Sequence, residues 1–265
     1  MAWSDQEQSF VSRVTPNSSQ LRDYIADYIA DATGIIESSL SHCKNSIAFQ
    51  EIYHLSLSTD TVLKRLVGPS IRPRLMGARS VVRRIPLLVS VGQKSVGVVE
   101  LRRFVELTFW AIYFTDHSIE WHSFETDASS GFSRDIRKPI SYAARRELAH
   151  YVEYARELMG SEPSGVGTIA VDGLKQASHE LNTSVHAGEL ATTAVKIVPH
   201  EGVSDHDLRG FAKLQRRVFA NCCLLLAAFR SSTFHRFDVA SRAHFDWLVG
   251  PTIRKQIRQG PFGLT

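Results

Sequence analysis

The stretch VGVVELRRFVELTFWAIYF, residues 96–114, decides the fold. Val98, Val99, Leu101, Phe104, Val105, Leu107, Phe109, Trp110, Ile112 and Tyr113 place apolar side chains on nearly every side of a helix. A helix that is apolar all round belongs in the middle of a protein, with other helices around it. Its polar interruptions are Arg102, Arg103 and Glu106. Arg102 and Glu106 stand one turn apart, which predicts an ion pair at the edge of the core. The alternative is an arginine held beside a functional site.

Toward the N-terminus, Asn17, Ser18 and Ser19 offer capping oxygens before the most clearly amphipathic segment. Leu21, Tyr24, Ile25, Tyr28, Ile29, Ala32, Ile35 and Ile36 recur at helical spacing, and Asp23, Asp27 and Asp31 share another face. Thr61 to Leu66 predicts a short helix ended near Gly68-Pro69. Arg72 to Arg84 predicts another, limited by Pro86, with 87–91 either extending it or forming a short strand.

Toward the C-terminus, residues 125–139 read as a loop, 140–159 as helix and 160–167 as a break. A helix follows from Gly167 or Thr168, its apolar face carried by Ile169, Val171, Leu174, Ala177, Leu181 and Val185, with Ala187-Gly188 as its C-cap. Thr193, Val195, Ile197 and Val198 predict one short β segment over 192–199. Ser204 and Asp207 have capping spacing before a long helix through Phe229. The last helix, about 237–257, is expected to break at Gly250-Pro251. These elements predict an all-α protein, a single helical bundle over 17–258 centred on the histidine-bearing helix 171–186. Residues 1–16 form an N-terminal extension and 259–265 a C-terminal tail.

The bulk properties fit that reading. Apolar residues make up 43% of the 265 and charged residues 22%, the balance of a globular chain. No run approaches the ~20 apolar residues that span a bilayer; the best, 218–229, contains Asn221 and stops at Arg230. The start, Met-Ala-Trp-Ser-Asp-Gln-Glu, has neither a basic segment nor a signal-type apolar core. Cys43, Cys222 and Cys223 lack CxxC spacing, which suits reduced thiols. A cytoplasmic location without membrane contact is therefore expected.

The net charge of +4 is less informative than its distribution. Lys64, Arg65, Arg72, Arg74, Arg79, Arg83, Arg84 and Lys94 fall in a window, 61–99, that contains no acidic residue. Such a block attracts a phosphate backbone, unless acids from elsewhere, such as the Asp23–Asp27–Asp31 stripe, neutralise it.

Histidines supply the candidate chemistry. His179, Thr183 and His186 line one side of a helix, with Asn182 alongside. Imidazole transfers protons near neutral pH and also binds phosphate; equally, such residues cap carbonyls at a solvent edge. His117 and His122, five apart, do not share a helical face. With no HExxH, Cys/His cluster, GxGxxG, P-loop or GxSxG, no metal and no cofactor is expected.

VELRRFVELTFWAIYFTDHSIEWHSF (residues 99–124) together with ASHELNTSVHAG (residues 177–188) resembles uncharacterised bacterial helical proteins of the HEPN-like superfamily. That resemblance implies a helical bundle and, in active members, a metal-independent ribonuclease acting as a dimeric toxin or antiviral defence effector. The superfamily motif is an Arg, a polar residue, three further residues and a His. Asn182 matches the polar position and His186 the histidine, whereas the arginine position falls on Leu181. Arg102 or Arg103 would then have to supply the missing charge in space. The spacing of an Arg, four residues and a His also occurs at Arg145–His150 and Arg230–His235. On this reading His186 serves as general acid or base, Asn182 orients the phosphate or the imidazole, and Arg72, Arg74, Arg79, Arg83 and Arg84 hold RNA. The alternative is a non-catalytic helical sensor, regulator or protein-interaction component of a defence or stress system.

Overall fold

The computed structural model describes residues 18–66, 72–119, 148–160, 165–186 and 204–259. These residues form helices and turns, with no strand among them. The helices are α1 (Ser18–Asn45), α2 (Ile47–Leu66), α3 (Arg72–Ser90), α4 (Lys94–Asp116), α5 (Leu148–Met159), α6 (Val166–His186), α7 (Asp205–Phe229), α8 (Ser231–Phe234) and α9 (Val239–Gln259). The all-α bundle predicted from the apolar periodicities is the observed fold. The β segment expected over 192–199 lies outside the described residues.

Helix α7 is the hub, packing on α2, α4, α6, α8 and α9. Its capping pair is formed as the sequence predicted, with the Asp207 N–H donating to Ser204 Oγ at 3.1 Å. From Val218 to Ala228 it buries nearly every side chain, including Phe219, Cys222, Cys223 and Leu225. The central helix predicted over 96–114 is α4, which runs parallel to α7: Lys94 meets Asp207, and Phe104 stacks edge-on against Phe219 at 5.1 Å. Helix α2 also runs parallel to α7 on another side. There the buried amide of Gln215 donates to the Ile52 carbonyl at 3.2 Å and to Ser56 Oγ at 2.9 Å, fixing the register. A buried amide that slipped by one residue would leave these bonds unmade, so the bonds specify one alignment.

Helix α6 is antiparallel to α7 and closes on it where Gly173 meets Asn221. A Cβ on Gly173 would lie 2.6 Å from the Asn221 amide, so this crossing needs glycine. The histidine-bearing helix is thus a flank of the bundle, and the centre belongs to α4 and α7. Arg102 Nε reaches Glu106 Oε1 at 3.1 Å, the ion pair predicted at the edge of α4.

Two helix boundaries differ from the sequence reading. The short helix expected at 61–66 is the last part of the 20-residue α2, whose earlier apolar residues Ile52 and Leu55 are fully buried. Helix α3 does not stop at Pro86 but continues to Ser90. Packing of the buried Ile85 and Val89 against the core offsets the one hydrogen bond that proline removes. Helix α9 breaks where expected: Gly250 has φ 79°, a left-handed conformation that favours glycine, and Pro251 follows it.

Candidate functional site

The histidine motif ends α6. The helix runs unbroken to His186, so Asn182 and His186 stand one turn apart. Their side chains lie outside the described ones. Leu181, at the position where the resemblance calls for arginine, is fully buried in the core. That position faces apolar packing, so a cation there would need a buried partner. Arg102 is turned along α4 to Glu106, and Arg103 is exposed. No described contact brings either arginine to the end of α6.

The basic block is largely neutralised, though not by the stripe on α1. Asp60 takes both Arg79, at 2.7 Å from Nε, and Arg83, at 2.8 Å, while Arg84 reaches Glu100 at 3.1 Å. These two acids are the residues that immediately bound the acid-free window of the sequence. Burial works against the charge on Asp60, but the hydrogen bonds and charges of Arg79 and Arg83 outweigh it and hold the carboxyl below its ordinary range. Asp27 and Asp31 of α1 stay exposed. The side chains of Arg72 and Arg74 are outside the described set.

Two further histidines meet aromatic rings at the end of α4. His117 stacks on Tyr113 at 4.0 Å and its Nδ1 lies 2.9 Å from the Tyr113 carbonyl oxygen. A carbonyl only accepts, so Nδ1 carries the proton and Nε2 is the basic nitrogen. Across the same tyrosine, His150 of α5 packs edge-on at 5.8 Å. The Tyr154 hydroxyl donates to Asp116 at 2.5 Å, and burial together with that carboxylate raises its pKa. The rings fill the space between α4 and α5, and exposed Asp116 and Glu153 give the surroundings an acidic cast. This cluster is a packed junction, poorly suited to an anion. Among the described residues no three His, Cys, Asp or Glu side chains converge as a metal would require. The thiols of Cys222 and Cys223 are raised by burial, that of Cys222 to about 12, which makes them poor nucleophiles.

The most developed surface feature is a groove of about 660 Å³ between α2 and α9, floored by α7. Ile47, Tyr53 and Trp247 line it at 82%, 56% and 37% exposure. Arg216 of α7 lies beneath them, its guanidinium 4.4 Å from the centre of the Trp247 ring and bonded to Glu51 at 3.1 Å. His54 packs edge-on against the other side of the indole at 5.2 Å. The break in α9 accounts for part of this arrangement. The Trp247 carbonyl would accept from the N–H four residues on, but that residue is Pro251, which has none. Arg216 Nη1 donates to the vacated carbonyl at 3.2 Å instead.

Sequence reading saw Gly250-Pro251 only as a break and passed over this groove. The legible signal was Ile47, Tyr53 and Leu57, apolar residues on a face of α2 that the bundle does not bury. A second, polar hollow near the α1–α2 turn holds Ser46 bonded to Asp205 at 2.7 Å, with His42 3.4 Å from the same carboxylate. Asp205 there answers the N-terminus of α2, so the hollow already contains its own anion.

Fold and groove together define a helical bundle with an aromatic, arginine-floored docking surface. No protein family matches the chain, and no curated protein or solved structure is significantly similar to it. Among the described residues no helix is long and apolar enough to cross a membrane.

Proposed function

We propose that this protein is a non-catalytic interaction component that binds a protein partner through the groove between α2 and α9. The observation that carries the reading is the juxtaposition of exposed Trp247, Tyr53 and Ile47 over an oriented Arg216. Tryptophan, tyrosine and arginine dominate the energetics of protein interfaces, and clustered exposed apolar side chains mark such surfaces. Because Arg216 is held by Glu51, Trp247 and a carbonyl, little side-chain freedom remains to be lost on binding. The ion pairs of Arg79, Arg83 and Arg84 favour this reading over RNA binding, since phosphate contact would have to compete with Asp60 and Glu100. A cytoplasmic setting belongs to the same proposal, its support being buried, unpaired cysteines.

The test is a photo-crosslinking amino acid at Tyr53 in cells, with one at Lys175, exposed on α6, as control. A heavier adduct at position 53 that disappears in Trp247→Ala is the expected result. No adduct at 53, or equal adducts at both positions, overturns the reading.

A metal-independent ribonuclease of bacterial defence is the second reading, favoured by the one-turn spacing of Asn182 and His186. Purified protein should then cleave mixed RNA in EDTA and His186→Ala should not. Equal cleavage by both, or none by either, removes it.

A further inference from the structure

Helix α1 departs from the rest of the bundle. It has 28 residues, about 42 Å of helix, yet its buried side chains among those described are Ser39 and Cys43, in its last two turns. From Ala26 to Ser38 no described side chain is buried. The apolar stripe nevertheless continues along it, with Ile29, Ile36 and Leu40 at 57%, 39% and 45% exposure. At its base the stripe runs into the α2–α9 groove, because Cys43 and Lys44 of α1 line that groove too. The exposed stripe and the exposed groove form one continuous surface, half convex and half concave.

Charge separates the two halves. Residues 18–41 contain Arg22 against Asp23, Asp27, Asp31 and Glu37, a net of −3 in a chain of net +4, which leaves +7 elsewhere. Beside the groove stand exposed Lys44 and, on the same side of α7 as Arg216, exposed Arg209 and Lys213. An acidic helix and a basic-rimmed groove attract each other at long range.

Resting on the interaction reading above, we infer that the groove's partner is a second copy of this chain, which lays its α1 stripe into the groove while offering its own groove in return. One two-fold axis then covers both exposed surfaces of each copy, and an interface of this kind closes upon itself without forming fibres. Each stripe residue enters apolar surroundings, with Glu37 and Asp23 on the flank nearest Lys44, Arg209 and Lys213. A stable interface of this kind takes about 800 Å² from each partner, which neither the stripe nor the groove alone supplies, but the two together approach.

The purified full chain tests this by sedimentation velocity. A dimer is expected at micromolar concentration, weakened by salt, with Ile29→Asp and Ile47→Asp each raising its dissociation constant at least about 10-fold. Both positions are exposed, so circular dichroism should be unchanged. Geometry is read by mixing isotopically labelled and unlabelled chains carrying a photo-crosslinker at position 29. Adducts joining labelled to unlabelled chain at α2 or α9 support arm exchange. Adducts to α1 of the other chain, adducts within one chain only, or a monomer at high concentration overturn it. A monomer whose position 53 still captures a different protein in cells removes self-association and leaves the interaction reading standing; no capture at all removes both.

Discussion

Helices α1 and α7 are close in length, 28 and 25 residues, and both carry apolar stripes at helical spacing. In α7 the stripe widens into a fully buried segment, with Phe219, Cys222, Leu225 and Leu226 all at 0–1% exposure. In α1 the stripe stays half in solvent, with acids filling the opposite face. Periodicity thus identifies a face that needs covering without saying what covers it. The width of the apolar sector carries that information: a narrow stripe takes one neighbour, whereas a helix apolar over most of its circumference takes several.

The comparison can be broken at its strong end first. Phe219→Ala, at the contact of α7 with α4, should cost about 3–5 kcal/mol in urea denaturation; a loss below about 1 kcal/mol would deny α7 its place as hub. Next comes the pair of arginines on α3. Asp60→Asn should cost about 2 kcal/mol at neutral pH, because Arg79 and Arg83 lose their shared acceptor.

The pH dependence of that loss has a definite sign. The folded-state pKa of Asp60 lies below the ordinary carboxylate value, so its contribution is fully present above the unfolded pKa of about 4. It fades as pH falls below that value and through the lower folded one. Stability curves of wild type and Asp60→Asn should therefore converge in strong acid and run parallel above about pH 5. Divergence toward acid would reverse the assignment.

A smaller effect is expected where α6 closes on α7. Gly173→Ala pushes the Asn221 amide off the Arg217 carbonyl it now donates to at 2.9 Å. Overpacking exceeds the gain in helix propensity, leaving a net loss of about 1 kcal/mol, which Asn221→Ala in the same chain should recover. The smallest effect sharpens the contrast best. Ile29→Ser on α1 should change the stability of the isolated chain by less than about 0.5 kcal/mol in dilute thermal melts. A loss comparable to that of Phe219→Ala would mean that α1 belongs to the core after all.

Local chemistry made much of the fold legible. Ser204 and Asp207 marked the start of α7, Gly250-Pro251 marked the break in α9, and the spacing of Arg102 and Glu106 gave their ion pair. What escaped were features that join distant segments. Asp60 and Glu100 sit just outside the window whose arginines they bind, so a linear scan for acids inside that window missed them. The groove needs Ile47, Arg216 and Trp247, contributed by three helices, and no spacing rule connects them. Pro86 misled for the opposite reason, since burial of Ile85 and Val89 overrides a local penalty. Leu181 was legible as an apolar residue in a polar motif; only its burial explains why leucine belongs there.

The carbonyl of Trp247 links syntax to recognition. Proline at position 251 withholds one hydrogen, and a guanidinium from another helix takes the vacancy. The orientation of a cation at the surface is therefore governed by a residue that never touches whatever binds there. Drift at position 251 would loosen Arg216 and widen the range of shapes the surface accepts, while every residue lining it kept its identity. Partner choice in such a protein can evolve from behind the interface, through the backbone, with no change written on its face.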